Sequence, residues 1–142
     1  MKNRLTLLLL GAMLVANSLP AQTRDEKGLV GVWRGQVDSL PAVTLNITDE
    51  GGGVSGAILF YLLRRNTVND PYTSSPGIPE PLLSLKFNGN SLEFQVSHRR
   101  AHPPQSLSDP PVRFRLTLKD PGHAELVNES ERAPSVLLIR DE

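Results

Sequence analysis

"GVWRGQVDSLPAVTLNITDEGGGVSGAILFY", residues 31–61, decides the fold. It holds the only tryptophan of the chain, Trp33, with Gly31 two residues before it and Gly35 two residues after it. Side chains on a strand alternate between faces, so these three share one face and leave room above and below the indole. Next, Val43, Leu45 and Ile47 alternate with Thr44, Asn46 and Thr48, the pattern of a strand buried on one side and wet on the other. "DEGGG", 49–53, is turn chemistry, and 54–63 is apolar again. Three strands in a row, 29–37, 43–48 and 54–63, therefore open the ordered chain.

The rest of the sequence continues in the same way. Strands are expected at 82–87, 92–98, 112–118, 124–127 and 136–140, for a total of eight. In 92–98, Leu92, Phe94, Val96 and His98 share a face. In 112–118, Val112, Phe114, Leu116 and Leu118 share one face, opposite Arg113, Arg115 and Thr117. No stretch keeps helical spacing with caps at both ends. The nearest, "SERAPSVLL", contains Pro134. Tight turns fall at "DEGGG", "NGN" and "KDPG", while two long connections, 64–81 and 99–111, carry eight of the 12 prolines. Proline stiffens a loop and cannot donate to a sheet ladder, so these connections are shaped rather than floppy. Strands running up and down in chain order would gather the tight turns at one end and the long loops at the other. An eight-stranded antiparallel up-and-down barrel requires that sorting; the alternative all-β architecture, a β-sandwich, does not.

The first residues bear on compartment. Lys2 and Arg4 precede an apolar run from Leu5 to Ala16, and "NSLPAQT" follows. That is the order of a secretory signal. The run is about a dozen residues, short of the roughly 20 that span a bilayer. A signal peptide over 1–21, cleaved after Ala21, is expected, with retention as a membrane anchor the alternative. Residues 22–28 then read as a flexible lead-in and 29–142 as one β-barrel domain. The expected location is secreted or periplasmic in a bacterium. Without Lys2 and Arg4 the chain has 13 basic and 15 acidic residues, which argues against nucleic-acid binding. With no cysteine there is no disulfide staple and no lipidated N-terminus, so the core must suffice alone. "NIT" at Asn46 and "NES" at Asn128 match glycosylation sequons, coincidental in a bacterial protein.

Gly31-Val32-Trp33 resembles the Gly-x-Trp on the first strand of calycin barrels, the lipocalin and avidin-like group. In many of those proteins an Arg near the end of the last strand covers the Trp. Arg140, in "LLIRDE", is the matching residue here. "VTLNITDEGGGVSGAI" is similar to the second and third strands of avidin-like barrels. The resemblance implies a structural barrel floor made of Gly31, Trp33 and Arg140. The lipocalin cysteines and post-barrel helix are absent, as are the several pocket tryptophans of avidins, so biotin binding is not implied. Short secreted bacterial barrels match the chain best in character.

Catalytic constellations are missing from the sequence. There is no cysteine nucleophile, no Gly-x-Ser-x-Gly, and "DEGGGVSG" leads into a strand rather than a phosphate-binding helix. His98 and His102 are four apart, but no nearby carboxylate or cysteine completes a metal site, and His123 falls at the opposite end. No catalytic residue, metal or cofactor is therefore assigned, and the chain is read as a non-enzyme. The candidate ligand-binding residues are Arg64, Arg65, His98, Arg99, Arg100 and His102, gathered at the long-loop rim. The planar arginine fork suits carboxylate or phosphate. The plainer reading pairs them with Asp70, Glu80, Asp109, Glu129 or Glu131. The expected function is a binding protein whose mouth takes a small anionic, hydrophobic or amphipathic ligand. The alternative is a protein-interaction or inhibitor module using loops 64–81 and 99–111. Strand 54–63, apolar on both faces, is a candidate for a homodimer or partner contact.

Overall fold

The computed structural model describes residues 27–97 and 110–142. The expected signal peptide, most of the lead-in, and His98, Arg99, Arg100, His102 and Asp109 lie outside the described residues. The fold is all-β: β1 (Gly31–Val37), β2 (Leu40–Asp49), β3 (Val54–Arg64), β4 (Thr73–Pro76), β5 (Glu80–Pro81), β6 (Leu83–Asn88), β7 (Ser91–Val96), β8 (Val112–Asp120), β9 (His123–Asn128) and β10 (Val136–Arg140). They form one curled antiparallel sheet in the order β4-β3-β2-β1-β10-β9-β8-β7-β6, with β5 paired to β3. Chain neighbours are sheet neighbours, and β1 pairs with β10, Trp33 opposite Arg140.

Two of the ten strands fall inside the connection 64–81 that the sequence reads as loop. β3 runs on to Arg64, and Tyr61 to Arg64 pair with Thr73 to Pro76, forming a two-stranded arm. Pro76 closes the arm and Gly77 donates to the Phe60 carbonyl, so turn residues conceal the pairing in the sequence. β5 then lies on β3, Ile58 opposite Glu80, and the Leu82 amide donates to the Gly56 carbonyl. The chain next crosses to β7 through a register shift between Leu83 and Lys86, where Ser84 takes a φ of 52°. One stretch, 80–88, thus binds β3 with its first residues and β7 with the rest.

The first strand also begins later than its apolar pattern indicates. Residues 27–29 form a short helical turn that buries Leu29, so residues 27 and 28 of the expected lead-in are ordered. The turn is held by its own carbonyls: Leu29 accepts from Trp33 Nε1 at 2.9 Å and Gly28 accepts from Arg140 Nη2. Gly31, at a φ of 138°, then swings the chain into β1, a conformation that favours glycine.

Inward residues alternate along each strand and fill one core: Trp33, Val43, Leu45, Ile47, Ile58, Leu92, Phe94, Leu116, Leu126 and Leu138 are all buried. Burying large side chains such as these contributes about 1.5–3 kcal/mol each, which suits a domain without disulfides. Gly35 faces the same core, and a Cβ there would lie 2.5 Å from Leu138 Cδ2, 2.7 Å from Val136 Cγ1 and 2.8 Å from Val43 Cγ1.

Candidate functional site

The two ends of the molecule differ in chemistry. At the tight-turn end, Trp33 is fully buried and the Arg140 guanidinium carbon sits 4.6 Å from its ring centroid. Such a contact contributes about 0.5–2 kcal/mol depending on desolvation. Arg140 Nη2 is satisfied by the Gly28 carbonyl, while Nε is buried without a hydrogen-bond partner. A Cβ on Gly31 would stand 3.8 Å from that Nε, an ordinary contact, so it is the φ of 138° rather than crowding that favours glycine there. Gly31, Trp33 and Arg140 are thus brought together. Beside them the Arg140 amide donates to the Gly122 carbonyl in the β8–β9 turn, joining two elements at this end.

At the opposite end the strands leave a cavity of about 250 Å³. Its lining comes from β2 (Val43, with Ala42), β3 (Phe60), β8 (Phe114), β9 (Leu126 and Asn128) and the approach to β10 (Ala133, Pro134 and Val136). Phe114 stacks on Phe94 at 5.7 Å between centroids and meets Phe60 at 5.5 Å with the rings tilted by 32°. Asn128 is the one polar side chain of the lining, and it lies opposite Phe114 across the β8–β9 ladder, hence on the same face.

Of the rim residues expected to meet a ligand, Arg64 ends β3 and Arg65 follows it, both exposed on the arm. Arg65 is engaged by its own loop: its guanidinium lies 4.9 Å from the Tyr72 ring centroid and donates to the Val68 carbonyl at 3.2 Å. Three of the expected carboxylate partners are engaged elsewhere. Asp70 accepts the Thr67 amide, and Glu129 meets Arg115 at 3.4 Å. Glu80 is buried and accepts from Ser97 Oγ at 3.1 Å. Among the described residues neither Arg64 nor Arg65 is in an ion pair, and no group of three His, Asp or Glu side chains is placed to hold a metal.

The perturbed carboxylates lie away from the cavity. Asp120 is held below the ordinary carboxylate value, first by the His123 side chain at 2.8 Å and then by the Gly122 amide. Glu125 is lowered chiefly by Lys119, with Ser135 second. His123 is at the tight-turn end, where the sequence places it. On the outer face of β3, Leu59 and Tyr61 are half-buried and Leu63 is exposed.

The sequence reading did not single out Phe60, Asn128 or Glu80 as interior site residues. Strand β3 is apolar on both faces, so periodicity gives no sign of which face holds Phe60. Asn128 sits in a sequon, and Glu80 lies between two prolines where no strand is apparent.

Compared with known proteins, the chain has no significant match to a family model, a curated protein or a solved structure. A curled antiparallel sheet does not by itself single out a calycin or a lipocalin.

Proposed function

We propose that this is a secreted or periplasmic, non-catalytic binding protein: a closed, calycin-like eight-stranded barrel whose mouth takes a small anionic or amphipathic ligand. The observation that carries this reading is the apolar cavity of about 250 Å³ at the end opposite the Trp33–Arg140 contact. An eight-stranded barrel has room for one small ligand or for its own side chains. Support for closure comes from the β1–β10 ladder and from the Leu82 to Gly56 hydrogen bond, which ties the β6 side of the sheet to β3. The signal-like N-terminus supports the location. Arg64, exposed at the end of β3, is the charge offered to an anionic head in this reading. A thermal-shift screen with fatty acids, haem, small anions and small aromatics tests the reading. A rise in melting temperature with one class is expected, and no shift with any of them would overturn it.

A second reading, a protein-interaction module, draws on a separate observation. Around the arm, Val68 and Ile78 are 78% and 72% exposed, beside exposed Leu62, Leu63 and Tyr72. Apolar surface gathered on one projection marks contact sites. A variant with Val68 and Ile78 changed to Ser would keep ligand binding and lose partner capture under this reading, and would keep both if the arm is not a contact site.

A further inference from the structure

We infer that the mouth cavity selects a compact ring-containing ligand that carries one hydrogen-bond acceptor, with Asn128 Nδ2 as the donor that receives it. The inference rests on the mouth-binding reading and narrows its ligand class.

Size comes first. Five of the lining side chains have an inward neighbour two residues deeper along their strands. Leu45 lies beneath Val43, Ile58 beneath Phe60, Leu116 beneath Phe114, Ala124 beneath Leu126 and Leu138 beneath Val136. All five are at 0% exposure. The space therefore ends on a packed layer and does not run down the barrel axis. An apolar cavity of about 150 Å³ admits benzene, so 250 Å³ takes a substituted six-membered ring. A long acyl chain would leave most of its length in water.

Shape and polarity come next. Phe60 and Phe114 form one wall, and Phe94 continues their row into the core. A flat ring extends such a row by offset or tilted contact. Against this apolar lining stands Asn128. Its Oδ1 accepts the Ser130 amide at 2.9 Å and the Glu131 amide at 3.2 Å, forming the turn that starts the β9–β10 connection. Two amide donors fix which end of the side-chain amide is the oxygen. The NH₂ end is left over, and among the described residues Nδ2 has no hydrogen-bond partner. The cavity thus offers donor capacity and no side-chain acceptor, so a ligand carbonyl, carboxylate or ether oxygen fits and a bare hydrocarbon leaves the donor unused.

The test uses the purified protein with acetophenone, its acceptor-free analogue ethylbenzene, and dodecanoate, with affinities measured by calorimetry and side-chain amide NMR. Asn128→Asp keeps Oδ1 for the turn and removes the donor. Acetophenone should bind about fivefold more tightly than ethylbenzene, the preference one neutral hydrogen bond gives. It should shift the Asn128 NH₂ resonances, and Asn128→Asp should abolish the preference for acetophenone over ethylbenzene. Equal binding of the two rings in the native protein would overturn the role of Asn128. Binding of dodecanoate alone would overturn the compact-ring class and leave the mouth-binding reading standing. Binding of none of the three, with another probe of the thermal-shift screen retained in the mouth, would also overturn this inference alone; silence in both assays would remove the two together.

Discussion

Replacing Gly35 with alanine adds a single methyl at a crowded point on the inner face of the sheet. The new carbon would lie within 3 Å of methyls on Leu138, Val136 and Val43 at once. These come from β10, from its first residue, and from β2, the two strands flanking β1, so no single rotamer change relieves all three. Overpacking of this kind costs about 1–3 kcal/mol, and three simultaneous overlaps place Gly35→Ala in the upper half of that range. Losing glycine's unfolded-state freedom returns about 0.4–1 kcal/mol. The net expectation is a loss of about 2 kcal/mol, or roughly 8 °C in melting temperature for a domain of this size. Urea titration followed by Trp33 fluorescence gives the free energy directly. Leu138→Ala supplies the control: its cost should be at least about 0.5 kcal/mol smaller in the Gly35→Ala background, where the added methyl occupies part of the void. An unchanged or raised melting temperature, or a strictly additive pair, would refute the close packing of β1 against its two neighbours. Val136 and Val43 also line the cavity, so under the proposed ring-binding reading the same substitution should weaken ring affinity.

Two further outcomes are expected. Trp33→Ala should cost about 3–5 kcal/mol in denaturant titrations, as truncation of a buried aromatic does, and a loss below about 1 kcal/mol would mean that the indole is not packed as described. Asp120 should titrate below the ordinary carboxylate value by NMR, and His123→Ala should bring it back up. Because the folded-state value is depressed, any stabilisation from this pair is present above the unfolded carboxylate value and fades as pH falls through the folded one. An Asp120 titration unchanged by the substitution would assign its depression to the Gly122 amide instead.

Much of the fold is legible in the sequence because alternation is a strong signal where one face is wet. β2, β7 and β8 alternate cleanly and appear within a few residues of their expected bounds. The turn chemistry at 49–53 and 89–90 is equally plain. What escapes is structure made from residues that ordinarily break strands. β4 and β5 contain Ser, Thr, Glu and Pro, and are held by β3 rather than by any pattern of their own. Leu29 continues the apolar run of β1 in sequence, yet lies in the turn beneath it because Trp33 Nε1 and Arg140 require the 28 and 29 carbonyls. For the site, a Gly-x-Trp and a distant Arg point to their own contact. Four of the six expected rim residues lie outside the described chain. The cavity depends on which face of β3 is inward, and only pairing with β2 decides that.

The pairing of Trp33 with Arg140 also gives the chain a built-in optical probe. The sheet consists of two meanders, β1 to β4 and β6 to β10, each assembled from local hairpins. Hairpins form in about 1–10 μs, whereas joining segments more than a hundred residues apart belongs to the slower regime of non-local contacts. Trp33 sits on that junction, with a guanidinium on its ring, and no other indole contributes signal. Its emission after rapid mixing would report the meeting of the two halves as a phase following the burial of β1 against β2.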